Sequence, residues 1–259
     1  MTRVLTAIAL IAVAVYLIWW APGLVFMAAA VAMSLLCYWE YSGLVAKHAI
    51  PRPGIFGFLA GLLIFFRPQE TLTGISLLVV LAFITSLRYL NLRDVLPQVA
   101  CAFLGAFYAF APWRFAIDLR KESVHLLFFA LALNWAGDTA AFYVGRRWGR
   151  RKLAPIVSPQ KTWEGAAASA LGSVIFGFLY LGYFTPEIPR WQIAVMAILG
   201  NAAGQFGDLA ESAMKRGAGV KDSGTVLPGH GGILDRVDSS LFALPVVYAL
   251  HSYLTPPIS

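Results

Sequence analysis

Charge is scarce in this 259-residue chain: 13% of its residues are Asp, Glu, Lys or Arg, against 59% hydrophobic. A soluble domain carries about a quarter charged residues, so a water-soluble globular fold is excluded. The net charge of +7 does not imply a nucleic-acid partner, because no soluble basic domain is there to form a groove. Cations in loops between apolar runs suit lipid headgroups and phosphate ligands instead. Cysteine is sparse as well. Cys37 and Cys101 stand in separate apolar runs without CxxC spacing or a histidine neighbour, which excludes a disulfide framework and a zinc site and leaves two small buried hydrophobes. His48, His125 and His251 have no ligands at metal spacing and read as loop or interface residues. No Ser-His-acid or Cys-His set exists, so covalent hydrolysis is not expected. No internal repeat is apparent, which argues against a transporter built on inverted halves.

Long apolar runs take the place of what is missing. Spanning the hydrocarbon core takes about 20 helical residues, and nine candidate spans can be drawn, near 4–21, 24–39, 54–66, 72–87, 95–112, 124–145, 165–184, 191–210 and 239–254. The expectation is an all-α, polytopic integral membrane protein with one membrane domain over 1–259, divided into N-terminal helices over 1–120 and a catalytic part over 121–259. The third and fourth runs are short enough to be half-spanning. The first follows Arg3 but exceeds a signal-peptide core and runs directly into another apolar stretch, so it reads as a span. Positive loops stay in the cytoplasm. With the N-terminus inside, only Arg67, Arg114, Arg120, Lys121 and Arg190 of the 20 Lys and Arg residues fall outside. A cytoplasmic N-terminus, an outer C-terminus and a cytoplasmic position for the loops after spans six and eight follow.

The remaining polar residues are concentrated. Between Ser212 and Asp238 lie Lys215, Arg216, Lys221, Asp222, His230, Asp235 and Arg236, with glycines at 217, 219, 224, 229, 231 and 232 that let backbone approach a ligand or take positive φ. Asp235 and Asp238 share a face if the run after them is helical. Carboxylates beside several cations are what a magnesium-nucleotide site requires: oxygens for the hard metal, cations for the remaining phosphate charge. Asp208, Glu211 and Ser212 close span eight, so Asp208, Asp235 and Asp238 are expected to converge where spans eight and nine meet the cytoplasm. In span six, Asn134 and Asp138 lie on one face, and a carboxylate inside a span marks function. The basic loop Arg146–Lys152 reads as setting topology. It leads to Ser158 as a helix N-cap with Pro159 at the first helical position, where free N–H groups, Lys161 and Thr162 form an anion site. His230 is either a phosphate contact or a turn residue. The residues alone indicate a membrane enzyme handling a metal-bound phosphorylated ligand.

The run S-x-M-K-R-x4-K-D-x-G-x2-L-P-G-H-G-G-I-x-D-R-x-D from Ser212 to Asp238 resembles the C-terminal signature of phosphatidate cytidylyltransferases, also called CDP-diacylglycerol synthases. The likeness extends to DTAA at Asp138 and to SPQKTWEG from Ser158 to Gly165, where Gln160 replaces the family's usual second basic residue. The resemblance implies transfer of a cytidylyl group from CTP to phosphatidate. Asp208, Asp235 and Asp238 are then the expected metal ligands, with Asp138 and Glu211 behind them. Lys161, Lys215, Arg216, Lys221, His230 and Arg236 are expected to hold CTP and lipid phosphates, Ser158, Thr162 and Ser212 to act as neutral donors, and Asp138 and Glu164 to line the substrate site. It further implies magnesium, a second, monovalent cation such as K+, a homodimer, and a bacterial inner-membrane enzyme with its site on the cytoplasmic face. A related CTP-dependent lipid enzyme or a polyprenol-type kinase is the nearer alternative, and an ion-coupled transporter the remoter one.

Overall fold

The computed structural model describes residues 2–66, 68–87, 91–227 and 231–255. Among them the chain forms nine α-helices: α1 Thr2–Trp19, α2 Gly23–Lys47, α3 Ile55–Phe66, α4 Thr71–Ser86, α5 Val95–Glu122, α6 Val124–Trp148, α7 Trp163–Phe184, α8 Arg190–Gly217 and α9 Leu234–Leu254. Each apolar run of the sequence falls in one of them, so the all-α expectation holds. Five are long and apolar enough to cross a membrane: α2, α5 with the turn before it, α6, α7 and α8. By contrast α3 and α4 have 12 and 16 residues, or about 18 and 24 Å at 1.5 Å per residue, short of a ~30 Å hydrocarbon core.

One small sheet breaks the helical pattern. Strands β1 Lys152–Ala154 and β2 Ser158–Thr162 pair antiparallel. This corrects the expectation that Ser158 caps a helix starting at Pro159. A residue before proline is pushed out of the α region toward extended geometry, so Ser158 enters a strand. The helix starts instead at Trp163, where Thr162 is the N-cap and its Oγ1 accepts from Gly165 N at 3.1 Å.

The chain forms two compact units. The first comprises Met1–Leu17, Ala21–Arg114 and Met214–Arg236; the second comprises Ile18–Trp20, Phe115–Ala213 and Val237–Ser259. In the first, Tyr38 of α2 is fully buried with its ring edge against Phe58 and Phe110. Tyr41 donates to the Cys101 carbonyl at 3.1 Å. Cys37 is buried as expected, while Cys101 is half-buried, and both are free thiols. Ala60, Ala82, Val99, Ala102, Phe103 and Ala106 form a second cluster joining α3, α4 and α5. Small residues let membrane helices approach closely.

In the second unit, Leu126, Leu127, Phe129 and Leu133 of α6, Leu181 of α7, Met196 of α8 and Leu244 of α9 are buried together with a polar ladder. Asn201 donates to Ser169 Oγ at 3.0 Å and to Asn134 Oδ1 at 3.4 Å, and Ser173 donates to the Leu133 carbonyl at 2.7 Å. Gly137 sits where a Cβ would stand 2.5 Å from Asn201 Nδ2 and Ser169 Oγ; a side chain there would break the ladder. Such bonds satisfy polar groups that hydrocarbon would leave unsolvated.

Candidate active site

The ladder ends at a cavity of about 740 Å³ in the second unit. Its wall carries Asp138 from α6, Ser158, Gln160, Lys161 and Thr162 from β2, Ser169 from α7, Gln205 from α8, and the cations Arg146 and Lys152. Gln205 is fixed by two bonds from its Nε2, to Asn201 Oδ1 at 2.6 Å and to the Ala166 carbonyl at 3.3 Å. Lys161 Nζ meets Asp208 Oδ2 at 2.5 Å, with the two side chains 26% and 36% exposed. Asp208 Oδ1 accepts from Ser212 Oγ at 3.3 Å, one turn on along α8. Lys161 and Asp208 both act electrostatically on Asp138, so two carboxylates and one ammonium share this corner of the unit. Exposed Trp148 and Trp163 flank the hairpin, the position expected of tryptophan at a membrane–water boundary.

The donor set fits a magnesium-phosphate ligand. Magnesium sites in nucleotide enzymes use one or two carboxylates, with phosphate oxygens and water completing the octahedron. Asp138 and Asp208 supply that number, and the cations nearby suit the phosphate charge left over. No group of three His, Cys, Asp or Glu side chains forms a ready-made metal cage among the described residues.

The signature loop lies in the first unit and is organised around Asp235. That carboxylate, in the first turn of α9, accepts from Lys215 Nζ at 2.6 Å, Ser223 N at 3.0 Å, Ser223 Oγ at 2.9 Å and Gly232 N at 2.8 Å. The Lys215–Asp235 pair is nearly closed to solvent, with side chains 12% and 8% exposed. Charge-assisted bonds of this kind are short and strong. Arg216, Lys221 and Arg236 are exposed, and Gly219 and Gly231 take φ of +70° and +80°, the left-handed turns that the glycine pattern foretold.

The three carboxylates expected at one metal site divide between the units: Asp235 belongs to the first, Asp208 and Asp238 to the second. Asp238 Oδ1 accepts from Ser239 N at 2.6 Å. Glu211 is fully buried. Glu164 accepts from the backbone N–H groups of Arg150 and Arg151 at 3.1 and 3.3 Å; it ties the basic loop to the start of α7 and does not line the cavity. His230 lies outside the described residues. The histidines away from the signature have ordinary partners: His48 the Met214 carbonyl at 2.9 Å, His125 the Tyr180 hydroxyl at 3.0 Å, His251 the Glu122 carboxylate at 2.9 Å.

Sequence reasoning missed Arg146 and Lys152 as cavity residues, having given that loop only a topological role. It also missed Glu40, 3% exposed on α2. Glu40 accepts from Ser223 Oγ at 3.1 Å, Ile233 N at 3.0 Å and Leu234 N at 2.8 Å. The signal was available: an acid inside an apolar run marks function by default, and CYWEYSG contains one.

Known proteins bear on this arrangement. A phosphatidate cytidylyltransferase of Staphylococcus saprophyticus is 33% identical over 256 residues, covering 96% of this chain and 98% of its own. Proteins of the same name from Staphylococcus haemolyticus and Staphylococcus aureus strain COL are each 34% identical, with the same coverage. The model of the cytidylyltransferase family matches residues 1–254. That match takes in the cavity, the Lys161–Asp208 pair and the Asp235 loop alike, and the chain belongs to the cytidylyltransferase family.

Proposed function

We propose that this protein transfers the cytidylyl group of CTP to phosphatidate, forming CDP-diacylglycerol and pyrophosphate for phospholipid synthesis. The observation that carries the reading is the cavity of about 740 Å³ lined by Asp138, Lys161 and two further cations, Arg146 and Lys152, with Asp208 held by Lys161. The names of the relatives, alike over nearly their whole length, agree with it.

In the transfer, a phosphate oxygen of phosphatidate bonds to the α-phosphorus of CTP. The bond from that phosphorus to the bridging oxygen breaks, and pyrophosphate departs with the electron pair. No protein nucleophile is needed; positioning and charge stabilisation carry such reactions. Lys161, Arg146 and Lys152 offset the triphosphate charge. Ser158 and Gln160 offer neutral polar contacts, while Thr162 shapes the wall by capping α7. Magnesium held by Asp138 and Asp208 supplies further neutralisation of phosphate charge when bound. In the signature, Asp235 and Asp238 would hold a second, monovalent cation such as K+, and Lys215, Arg216, Lys221, His230 and Arg236 serve phosphate binding. The enzyme works as a homodimer in the bacterial inner membrane, with its apolar helices in the bilayer, a cytoplasmic N-terminus and a cytoplasmic site.

Purified protein in detergent with magnesium, CTP and phosphatidate should release pyrophosphate and form CDP-diacylglycerol. Release of CDP with transfer of the γ-phosphate would overturn the reading in favour of a kinase. A reporter after Ser259 should be found outside and a tag near Arg150 in the cytoplasm; both on one side would overturn the topology.

A further inference from the structure

Two glycines of the signature make room for a protein carboxylate. A Cβ at Gly232 would stand 2.5 Å from Glu40 Oε2, and one at Gly224 would run into Glu40 Oε1. Glu40 fills the space so cleared, 3% exposed, and meets the N–H groups of Ile233 and Leu234 at the start of α9. A helix N-terminus favours an anion there, so the chain's own carboxylate occupies the place that a phosphate could otherwise take. Ser223 Oγ lies 3.1 Å from Glu40 Oε2 and 2.9 Å from Asp235 Oδ2, so one hydroxyl stands between the two carboxylates and its single proton serves one of them at a time.

We propose that Glu40 is a positioning residue for cytidylyl transfer. It holds residues 218–227 and 231–233 and the first turn of α9 in the one arrangement that keeps the Asp235 carboxylate on Lys215. It acts through Ser223 and the α9 N–H groups and touches neither substrate. Without it, the buried N–H groups of Ile233 and Leu234 lose their acceptor, and a group left so costs its full desolvation unless the backbone moves to water. The loop therefore opens, and Asp235 loses the hydroxyl that orients it. The proposal rests on the cytidylyl-transfer reading for its effect on turnover, but its effect on the loop does not.

The test uses the full-length protein in detergent. Lys221 is exposed within the loop, so tryptic cleavage after it reports loop opening whether or not the enzyme is turning over. Glu40→Ala should be cleaved there at least tenfold faster than the parent and should form CDP-diacylglycerol at least tenfold more slowly, per folded molecule, at saturating CTP. Glu40→Gln keeps one acceptor oxygen and should fall between the two on both readouts. A residue that merely fills space would give the glutamine variant parental behaviour, and that result overturns the proposal. So does Glu40→Ala with parental cleavage, or with rapid cleavage at parental turnover. If neither variant folds, Ser223→Ala carries the test: it must lower turnover when assayed well below its own melting temperature, and parental turnover refutes the link to Asp235. A parent that makes no CDP-diacylglycerol but shows the cleavage pattern refutes the transfer reading alone.

Discussion

Removing the charge of Asp235 should cost both stability and activity, and a second substitution should separate the two. The carboxylate is 2.6 Å from Lys215 Nζ, with side chains 8% and 12% exposed, and it also accepts from Ser223 N and Gly232 N. Asp235→Asn keeps an oxygen for one backbone donor but takes the carboxylate away from a nearly buried ammonium, a loss of about 3–5 kcal/mol. Native proteins have roughly 5–15 kcal/mol in hand, so the variant still folds. In a domain of this size each kcal/mol moves the melting temperature by about 2–4 °C, which gives a fall of about 10 °C. Replacing a buried pair by neutral groups is often close to neutral, so Lys215→Met/Asp235→Asn should melt within about 3 °C of the parent, above Asp235→Asn alone. Activity should not follow that recovery: both variants should turn over at least about 100-fold more slowly, a loss of about 2.7 kcal/mol or more in transition-state stabilisation. The measurements are thermal unfolding in one detergent and pyrophosphate release well below the melting range. Additive losses of melting temperature would refute the coupling, and restored turnover in the double variant would refute a role for the charges in the transfer.

Lys161→Gln and Asp208→Asn should each slow turnover at least about 100-fold yet lower the melting temperature by no more than about 4 °C, because partly exposed ion pairs contribute only about 0–1 kcal/mol. Pyrophosphate release and thermal unfolding measure the two effects side by side. Gln160→Lys adds a cation to the cavity wall, and KM for CTP or phosphatidate at low salt should fall about two- to fivefold, with the gain fading at high ionic strength; steady-state kinetics at two salt concentrations decide it. Gly204→Ala drives a methyl into the Asn134 amide and should cost about 1–3 kcal/mol by overpacking, read as a lowered melting temperature. Gly23→Ala, with nothing within 4 Å of the added Cβ, is its control.

The helices were legible because hydrocarbon length and apolar runs constrain one another. The third and fourth runs, 54–66 and 72–87, return as Ile55–Phe66 and Thr71–Ser86. Where helices outran their apolar stretches, as α5 does to Glu122 and α8 to Gly217, polar residues carry the backbone pattern on where hydropathy no longer reports it. Asp138, Lys161 and Asp208 were legible as candidates by motif, but the Lys161–Asp208 partnership joins a strand to a helix 47 positions on, and periodicity is silent at that range. The hairpin was misread because a cap signature and an extended Ser-Pro begin with the same residue. The acceptor role of Glu40 is not legible locally, because it depends on donors 183 to 194 positions away.

That separation bears on how the protein is made. Glu40 enters the membrane with α2, whereas Ser223 is synthesised 183 residues later. At about 5–20 residues per second the interval is roughly ten to forty seconds. Throughout it the carboxylate has none of the loop or α9 donors it will finally use, and an ionised group stranded in hydrocarbon is expensive. The nascent chain must therefore keep Glu40 wet or shielded by the insertion machinery until α9 arrives. A chain released before α9 would expose that unfinished polar spot within the bilayer, a mark by which membrane quality control could distinguish it from the completed enzyme.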